Sequence, residues 1–346
     1  MRAAGFLARA GWGAARVSPL AGDASPRRYH RAHGADGRAV LMDADPATGE
    51  DVRPFAALTG LLRARGFSAP EVLAADLTGG FLLLEDLGDA LYARVCAADP
   101  PAEGALYAAA VDLLGALHAE PPPAAAEGAG WRHPIPPYDA ATLLREARLA
   151  VDWWAPAAGF PLPDDALAEY DALVAAACAP VAEDRSALVL RDYHAENLLW
   201  LPEREGVARV GLLDYQDALA GSPAYDLISL LEDARRDTSS DLRAAMTARY
   251  VGAARARDPR FDVEGFSLGC AALAAQRNLK IVGIFARLAR RDGKPGYLKL
   301  IPRVWAHLRR DLAHPALAPL ARFVERRLPA PDAVALARAA AGGDAG

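Results

Sequence analysis

From Arg16 to about Glu85 the chain alternates short apolar stretches with turns, a pattern of strands rather than of long helices. Arg28 to His33 and Arg38 to Asp43 are parted by Gly34-Ala35-Asp36-Gly37, whose glycines suit the positive φ angles of a hairpin turn. Residues 53–65 switch to a helical period, with Phe55, Leu58, Leu61 and Leu62 on one stripe and Gly66 placed to cap the end. Val72 to Ala75 and Phe81 to Glu85 return to strand around Gly79-Gly80. After Gly88 the period is helical over 102–119, 139–154 and 164–178, with Pro121 to Gly130 read as a Pro, Ala and Gly loop. Three short strands interrupt this half, at Ala187 to Leu190, Leu198 to Leu201 and Val207 to Leu213. Helix resumes from about Ala224 to Phe323, and the Ala-Gly-rich end is expected to fray. The expected class is α+β: a small β-rich N-terminal lobe over 1–88 and a large helical C-terminal lobe over 89–346.

Composition narrows the function. Apolar residues make up 53% of the 346, yet they are scattered, and no run approaches the roughly 18 residues of a membrane span. Acids outnumber Lys and Arg to a formal charge of -5, the wrong sign for a protein that tracks a phosphate backbone. Neither a membrane nor a nucleic acid is an expected partner, and a monomer is expected. Cys96, Cys178 and Cys270 lie far apart, without zinc or dithiol spacing, which fits a reducing, cytoplasmic setting. Arg2, Arg9 and Arg16 stand among alanines with no acid before Asp23, the superficial look of a targeting segment. No apolar stretch of suitable length follows, and Leu7 and Trp12 read equally well as a short amphipathic helix. Lysine is confined to Lys280, Lys294 and Lys299.

The informative stretch is Leu190-Arg191-Asp192-Tyr193-His194-Ala195-Glu196-Asn197, with Asp214 seventeen residues beyond Asn197 in Leu212-Leu213-Asp214-Tyr215-Gln216-Asp217. Phosphoryl transfer to a hydroxyl needs a carboxylate to orient the attacking oxygen, and oxygen ligands for the Mg²⁺ that bridges the phosphates. Asp192 suits the first task, Asn197 and Asp214 the second. The five-residue step from Asp to Asn, then a hairpin whose second strand ends in Asp, matches the catalytic and metal loops of kinases. Taken singly, Asp192 and Asn197 would read as turn residues.

Further segments extend the pattern: G-D-A-S-P-R-R-Y at 22–29, V-L-M-D at 40–43, G-F-L-L-L-E-D-L-G-D at 80–89 and R-D-Y-H-A-E-N-L at 191–198. L-D-Y-Q-D-A at 213–218, Y-D-L-I-S-L-L at 225–231 and Q-R-N-L-K-I-V-G-I-F-A-R-L at 276–288 complete it. Together they resemble the aminoglycoside-phosphotransferase-like branch of kinases, whose loop reads His-Gly-Asp-x-His-x-x-Asn. Within that branch the chain is most similar to the anomeric amino-sugar kinases of bacterial cell-wall recycling, which act on N-acetylmuramate and N-acetylglucosamine. The resemblance spans nearly the whole chain. It implies a bilobal protein-kinase-like fold with ATP and Mg²⁺ as cofactors, Asp192 as catalytic base, and Asn197 and Asp214 as Mg²⁺ ligands. Glu85 to Leu87 would be the hinge that pairs the adenine edge, and Gly22 to Arg28 the phosphate loop, with the Ser25 hydroxyl among its donors. The product it implies is the α-1-phosphate of the sugar.

One departure stands out. A kinase places a phosphate-holding Lys on its third strand, and here that neighbourhood reads Val40-Leu41-Met42-Asp43. Arg27 or Arg28 is expected to substitute, since a guanidinium offers paired donors to phosphate oxygens.

The acceptor is less legible. Gln276, Arg277 and Lys280 form a polar stripe on an otherwise apolar helix, which reads either as contacts for the sugar or its lactyl carboxylate, or as a solvated face or salt bridge near Glu232. His194 and Asp217 are divided between acceptor contact and loop support. Asp226, at a helix start, reads as structural. Other readings keep the catalytic residues and change the partner: a kinase for an aminoglycoside or choline, or a nucleotide-binding pseudokinase. A protein kinase would need a D-F-G triplet and an A-P-E segment that this chain lacks.

Overall fold

The computed structural model describes residues 2–20, 26–35 and 37–341. A five-stranded sheet is complete before residue 86 and most of the helices come after it, a mixed α and β fold with a β-rich N-terminal part. Two compact units divide the chain: one takes 1–116, 122–136 and 190–218, the other 117–121, 137–189 and 219–346.

The first unit is built on a five-stranded antiparallel sheet. Its strands are β1 (Arg16–Pro19), β2 (Arg28–Gly34), β3 (Gly37–Asp43), β4 (Val72–Asp76) and β5 (Phe81–Glu85), in the order β1-β2-β3-β5-β4. Phe81 to Leu84 are all buried, as an apolar run without alternation requires when both faces of a strand are covered. One face is closed by helix α1 (Ala4–Arg9), whose Phe6 and Leu7 pack with Ala39, Leu41, Phe81 and Leu83. Phe6 and Phe81 stack with centroids 5.5 Å apart. Helix α2 (Arg53–Ala64) ends at Gly66 with φ 82°, in the left-handed region that glycine enters without penalty. Helices α3 (Tyr92–Ala98) and α4 (Glu103–Leu117) follow.

The expected loop from Pro121 to Gly130 contains a strand instead. Strand β6 (Ala125–Gly128) pairs with β7 (Trp131–Pro134) through a turn at Ala129 and Gly130, both at positive φ. The short hairpin β9 (Leu198–Trp200) and β10 (Val210–Leu212) closes the unit, with Leu198 opposite Leu212. Its second strand is shorter than the sequence suggests, because 206–209 wind into a 3₁₀ turn.

The second unit is helical around one long helix. Helix α5 (Ala140–Ala147) does not run on to 154: a π turn at Ala150–Trp154 interrupts it, and the short α6 (Ala155–Ala157) follows. Helix α7 (Asp164–Cys178) forms as expected. Strand β8 (Ala187–Val189) pairs with β11 (Leu219–Gly221), a strand the hydrophobic pattern does not announce. Then come α8 (Ala224–Leu231), α9 (Ser240–Arg257), α10 (Val263–Arg290), α11 (Ile301–Asp311), α12 (Ala318–Arg327) and α13 (Ala333–Ala341). Of the Ala-Gly-rich end, α13 is helical to Ala341, and 342–346 lie outside the described residues. Helix α10 is apolar along most of its 28 residues because α5, α8 and α11 all pack on it. Among the described residues no helix is long and apolar enough to cross a membrane.

Candidate active site

The two segments singled out by their spacing come together in the first unit. The pairing of β9 with β10 brings the residue before Leu198 beside the residue after Leu212, and Leu213 N–H donates to the Asn197 carbonyl at 3.0 Å. Asn197 Nδ2 donates to the Asp192 carbonyl at 2.9 Å, which ties the loop across five residues and leaves Oδ1 as the acceptor on that side chain. Asp192 itself is half-buried, and its N–H bonds back to Leu190 at 2.9 Å. His194 is buried inside the loop, with Nε2 3.4 Å from Asn197 Nδ2.

Both ends of the site hold strained backbone. Arg191, just before Asp192, has φ 72° and Asp214 has φ 57°; Ala129 is the one other non-glycine residue at positive φ among those described. Such conformations cost about 1–3 kcal/mol each and gather where a side chain must be aimed.

Burial and then the neighbouring Asp192 carboxylate push Asp214 above the usual range for an aspartate, while Gln216 and Arg27 pull it back. Gln216, buried between two acids, donates from Nε2 to Asp214 Oδ1 at 2.9 Å and to Asp217 Oδ2 at 3.3 Å. Asp217 is exposed, and its carbonyl faces Arg191 Nη1 at 3.4 Å. Gln216 escaped the motif reading, although its place between Asp214 and Asp217 was a usable signal.

The two candidate arginines part ways. Arg27 Nη1 lies 3.6 Å from Asp214 Oδ1, and its Nε lies 2.8 Å from Glu50 Oε2, with both members of the Glu50 pair mostly buried. Burial works against its charge, yet Tyr29, Asp214, Glu50 and Asp217 more than offset this, and its pKa stands above the ordinary value. Arg28 turns instead to Asp43 at 3.5 Å and is largely exposed. Glu50 carried no sequence signal. Ser25 lies outside the described residues.

The expected hinge is held firmly. Glu85 pairs across β5 with Ala39 of β3, and its carboxylate meets Arg204 Nη2 at 2.6 Å and Arg63 Nη1 at 3.3 Å. Asp86 Oδ1 caps the Gly88 N–H at 3.0 Å, and Arg31 of β2 grips both Asp86 and Asp89. Leu87 packs on the hairpin, its Cδ1 3.3 Å from where a side chain on Gly211 would begin. Beyond it Leu91 bridges to Leu199 of β9, and Ala93 N–H donates to the Ala195 carbonyl at 3.0 Å. The segment that follows the expected hinge therefore shares backbone contacts with the 191–197 loop and β9.

Arg277 and Lys280 belong to the second unit and are not solvated. Lys280 Nζ sits 3.1 Å from Glu146 Oε1 and 3.4 Å from the Tyr225 hydroxyl. Gln276 donates to the Leu143 carbonyl at 3.0 Å and reaches Glu146 Oε2 at 3.4 Å. Arg277 leaves this group and donates to the Glu232 carbonyl at 3.2 Å. The stripe is thus two separate contacts, one to Glu146 and one to Glu232, both buried. Asp226 is fully buried in the first turn of α8.

Comparison with known proteins gives this geometry its context. The phosphotransferase enzyme family matches residues 16–260. A protein of Caulobacter vibrioides named N-acetylmuramate/N-acetylglucosamine kinase is 41% identical, over 94% of this chain and 96% of its own. Its namesake from Pseudomonas aeruginosa is 37% identical over 91% and 90%. In fold, the chain is similar to a thermostable mutant of aminoglycoside phosphotransferase APH(4)-Ia, solved in ternary complex with ADP and hygromycin B. The TM-score is 0.58 at 14% identity, covering 90% of this chain and 99% of that one.

Proposed function

The chain belongs to the phosphotransferase enzyme family, and from that premise we propose that it is an ATP-dependent kinase for the anomeric hydroxyl of N-acetylmuramate and N-acetylglucosamine. The product would be the α-1-phosphate, serving the recycling of peptidoglycan sugars in the cytoplasm. The observation that carries the acceptor is the 41% identity over 94% of the chain to a relative bearing that name. The chemistry rests on residues: Asp192, Asn197 and Asp214 on one loop and one hairpin, with Arg27 beside them.

In this reading Asp192 orients the sugar hydroxyl and takes its proton as the new O–P bond forms and the bond to the ADP oxygen breaks. Asn197 Oδ1 and Asp214 would hold Mg²⁺, which supplies neutralising charge on the β- and γ-phosphates. The donors suit that ion. They are hard oxygens, and the mutual repulsion of Asp192 and Asp214 is relieved by a cation. Mg²⁺ keeps waters and phosphate oxygens as its other ligands, so two protein oxygens suffice. Arg27 is the phosphate clamp in place of the absent lysine, and its Glu50 partner keeps the guanidinium from swinging freely. Backbone groups at Glu85 to Leu87 pair the adenine. Lys280, Arg277 and Asp217 are acceptor-side candidates, of which only Asp217 is exposed.

The test is phosphate transfer from Mg·ATP by the purified protein to N-acetylmuramate, N-acetylglucosamine, an aminoglycoside and choline. Turnover on the two amino sugars, with ³¹P spectra placing the phosphate on C1, is expected. Turnover on another acceptor alone would discard the substrate and keep the mechanism. Arg27→Ala is expected to raise the KM for ATP and lower kcat, together about 10²-fold in kcat/KM, while Arg28→Ala changes neither by more than a small factor. Equal effects of the two would end the clamp assignment.

A further inference from the structure

Tyr215, the residue after Asp214, is fully buried. Its hydroxyl lies 2.6 Å from Thr59 Oγ1, and its ring stacks on Phe55 with centroids 4.8 Å apart and 19° between planes. Phe55 and Thr59 are four residues apart on α2, so one face of one helix holds Tyr215 by both its ring and its hydroxyl.

Helix α2 has its own seat. A Cβ added to Gly60 would stand 2.1 Å from the Glu127 carbonyl oxygen, and one added to Gly128 would stand 2.1 Å from the Ala56 carbonyl oxygen. Helix and β6–β7 hairpin therefore touch backbone to backbone, with no side chain between them to absorb a shift. At the rim Arg53 of α2 lies over the Trp131 ring, 4.8 Å from its centroid. The contacts run unbroken from the hairpin through α2 to Tyr215, and Tyr215 adjoins an aspartate whose φ of 57° must be enforced from outside.

We infer that the hairpin Ala125–Pro134 is a positioning element for the reaction: by seating α2 it fixes Tyr215, and Tyr215 fixes the direction in which Asp214 presents its carboxylate. Thr59, Phe55, Gly60 and Gly128 are positioning residues that touch neither substrate nor metal. The inference rests on Asp214 being a metal ligand.

Mn²⁺ serves as the probe, its affinity read by electron paramagnetic resonance in the presence of ADP, on the full chain. Variants are Thr59→Val, Thr59→Ser, Gly128→Ala, the Thr59→Val/Gly128→Ala pair, and Asp214→Asn, each with its thermal midpoint recorded. Thr59→Val and Gly128→Ala are each expected to weaken Mn²⁺ about 10-fold, the scale for residues that orient a metal ligand, with Thr59→Ser restoring it. The double variant should be no weaker than the worse single one, since both act along one path. Kinetics should follow, with the Mg²⁺ requirement raised and the KM for sugar unmoved.

Unchanged Mn²⁺ affinity in Thr59→Val and Gly128→Ala, with only the midpoint lowered, would reduce the contacts to folding and overturn the inference. Multiplying effects in the double variant would overturn the single path. If Gly128→Ala fails to fold, Thr59→Val against Thr59→Ser still decides. Wild-type Mn²⁺ affinity in Asp214→Asn would sink the metal-ligand reading itself. Loss of affinity there alone would spare that reading and remove only the role of the hairpin.

Discussion

Two clusters of ionisable side chains, one in each unit, answer charge in opposite ways. Around the β9–β10 hairpin three acids face two cations: Gln216 bonds to Asp214 and Asp217, Asp192 acts on Asp214 and pushes it toward its neutral form, and Arg27 and Arg191 lie beside them. On α10 the account closes. Lys280 meets Glu146, Arg310 Nη2 meets Glu232 Oε1 at 2.7 Å, and Asn278 Nδ2 donates to both Glu232 at 2.7 Å and Asp311 at 2.8 Å. Under the proposed function, the hairpin's group of hard oxygen donors is where the cation and the phosphates would bind. A balanced group, sunk in helices, is part of what holds the unit together.

Substitutions that remove one charge from each cluster should therefore separate activity from stability. Asp192→Asn keeps the shape of a half-buried side chain and removes its basicity, so kcat should fall by about 10²–10⁴-fold with the thermal midpoint close to that of the wild type. Lys280→Met should do the reverse. It strands a buried carboxylate, and breaking such a pair costs about 3 kcal/mol or more. Tyr138 and Gln276 still donate to Glu146, which keeps the loss toward that lower figure. Urea titration would read the loss, and kcat per folded molecule should stay within a small factor. A raised acceptor KM with stability unchanged would move Lys280 from the second group to the first.

Packing gives a smaller and purely structural contrast. Gly283 of α10 admits the backbone of Leu149, since a Cβ there would lie 2.1 Å from the Leu149 carbonyl carbon. Gly283→Ala should destabilise by about 1–3 kcal/mol, checked by the same titration, and leave kcat untouched.

Sequence alone exposed what depends on short spacing. The Asp192 to Asn197 step, the hairpin that delivers Asp214, the β2–β3 turn and helix 164–178 all follow from residues near one another in the chain. What it hid depends on distant partners. Thr59 and Tyr215 stand 156 positions apart. Glu50 gains its meaning only when α2 and β2 bring it to Arg27. The β6–β7 hairpin reads as a loop because Ala125-Ala126-Glu127-Gly128 has no β-branched residue; cross-strand pairing and the glycine contact with α2 make it a strand. The break after Ala147 likewise belongs to Gly283, far along the chain. The polar stripe of α10 was visible as residues, but its burial was not, so the choice between solvent and salt bridge could only be made by the helices around it.

The finest contrast between the clusters is their response to pH. Burial and the nearby Glu232 charge push the Asp311 carboxyl up to about 9, while Glu232, beside Arg310, is held below its ordinary value despite its own burial. The shared proton thus sits on Asp311 and the charge on Glu232. Burial also pushes the His307 imidazole, on the same helix, below its ordinary value, against the pull of Glu232. An acid whose folded pKa is raised holds a proton that the unfolded chain releases above about 4, so the folded state binds more protons between about 4 and 9. Its contribution to stability is complete below that window and declines as pH rises through it, with a limiting slope of about 1.4 kcal/mol per pH unit. Asp311→Asn cannot ionise and retains an amide to meet Asn278 and Glu232. Thermal midpoints from pH 5 to 9 should therefore fall more steeply for the wild type than for the variant, with the curves furthest apart at pH 9. Parallel curves would mean that the proton does not reside on this pair, and that the second cluster is not as closed as its hydrogen bonds make it.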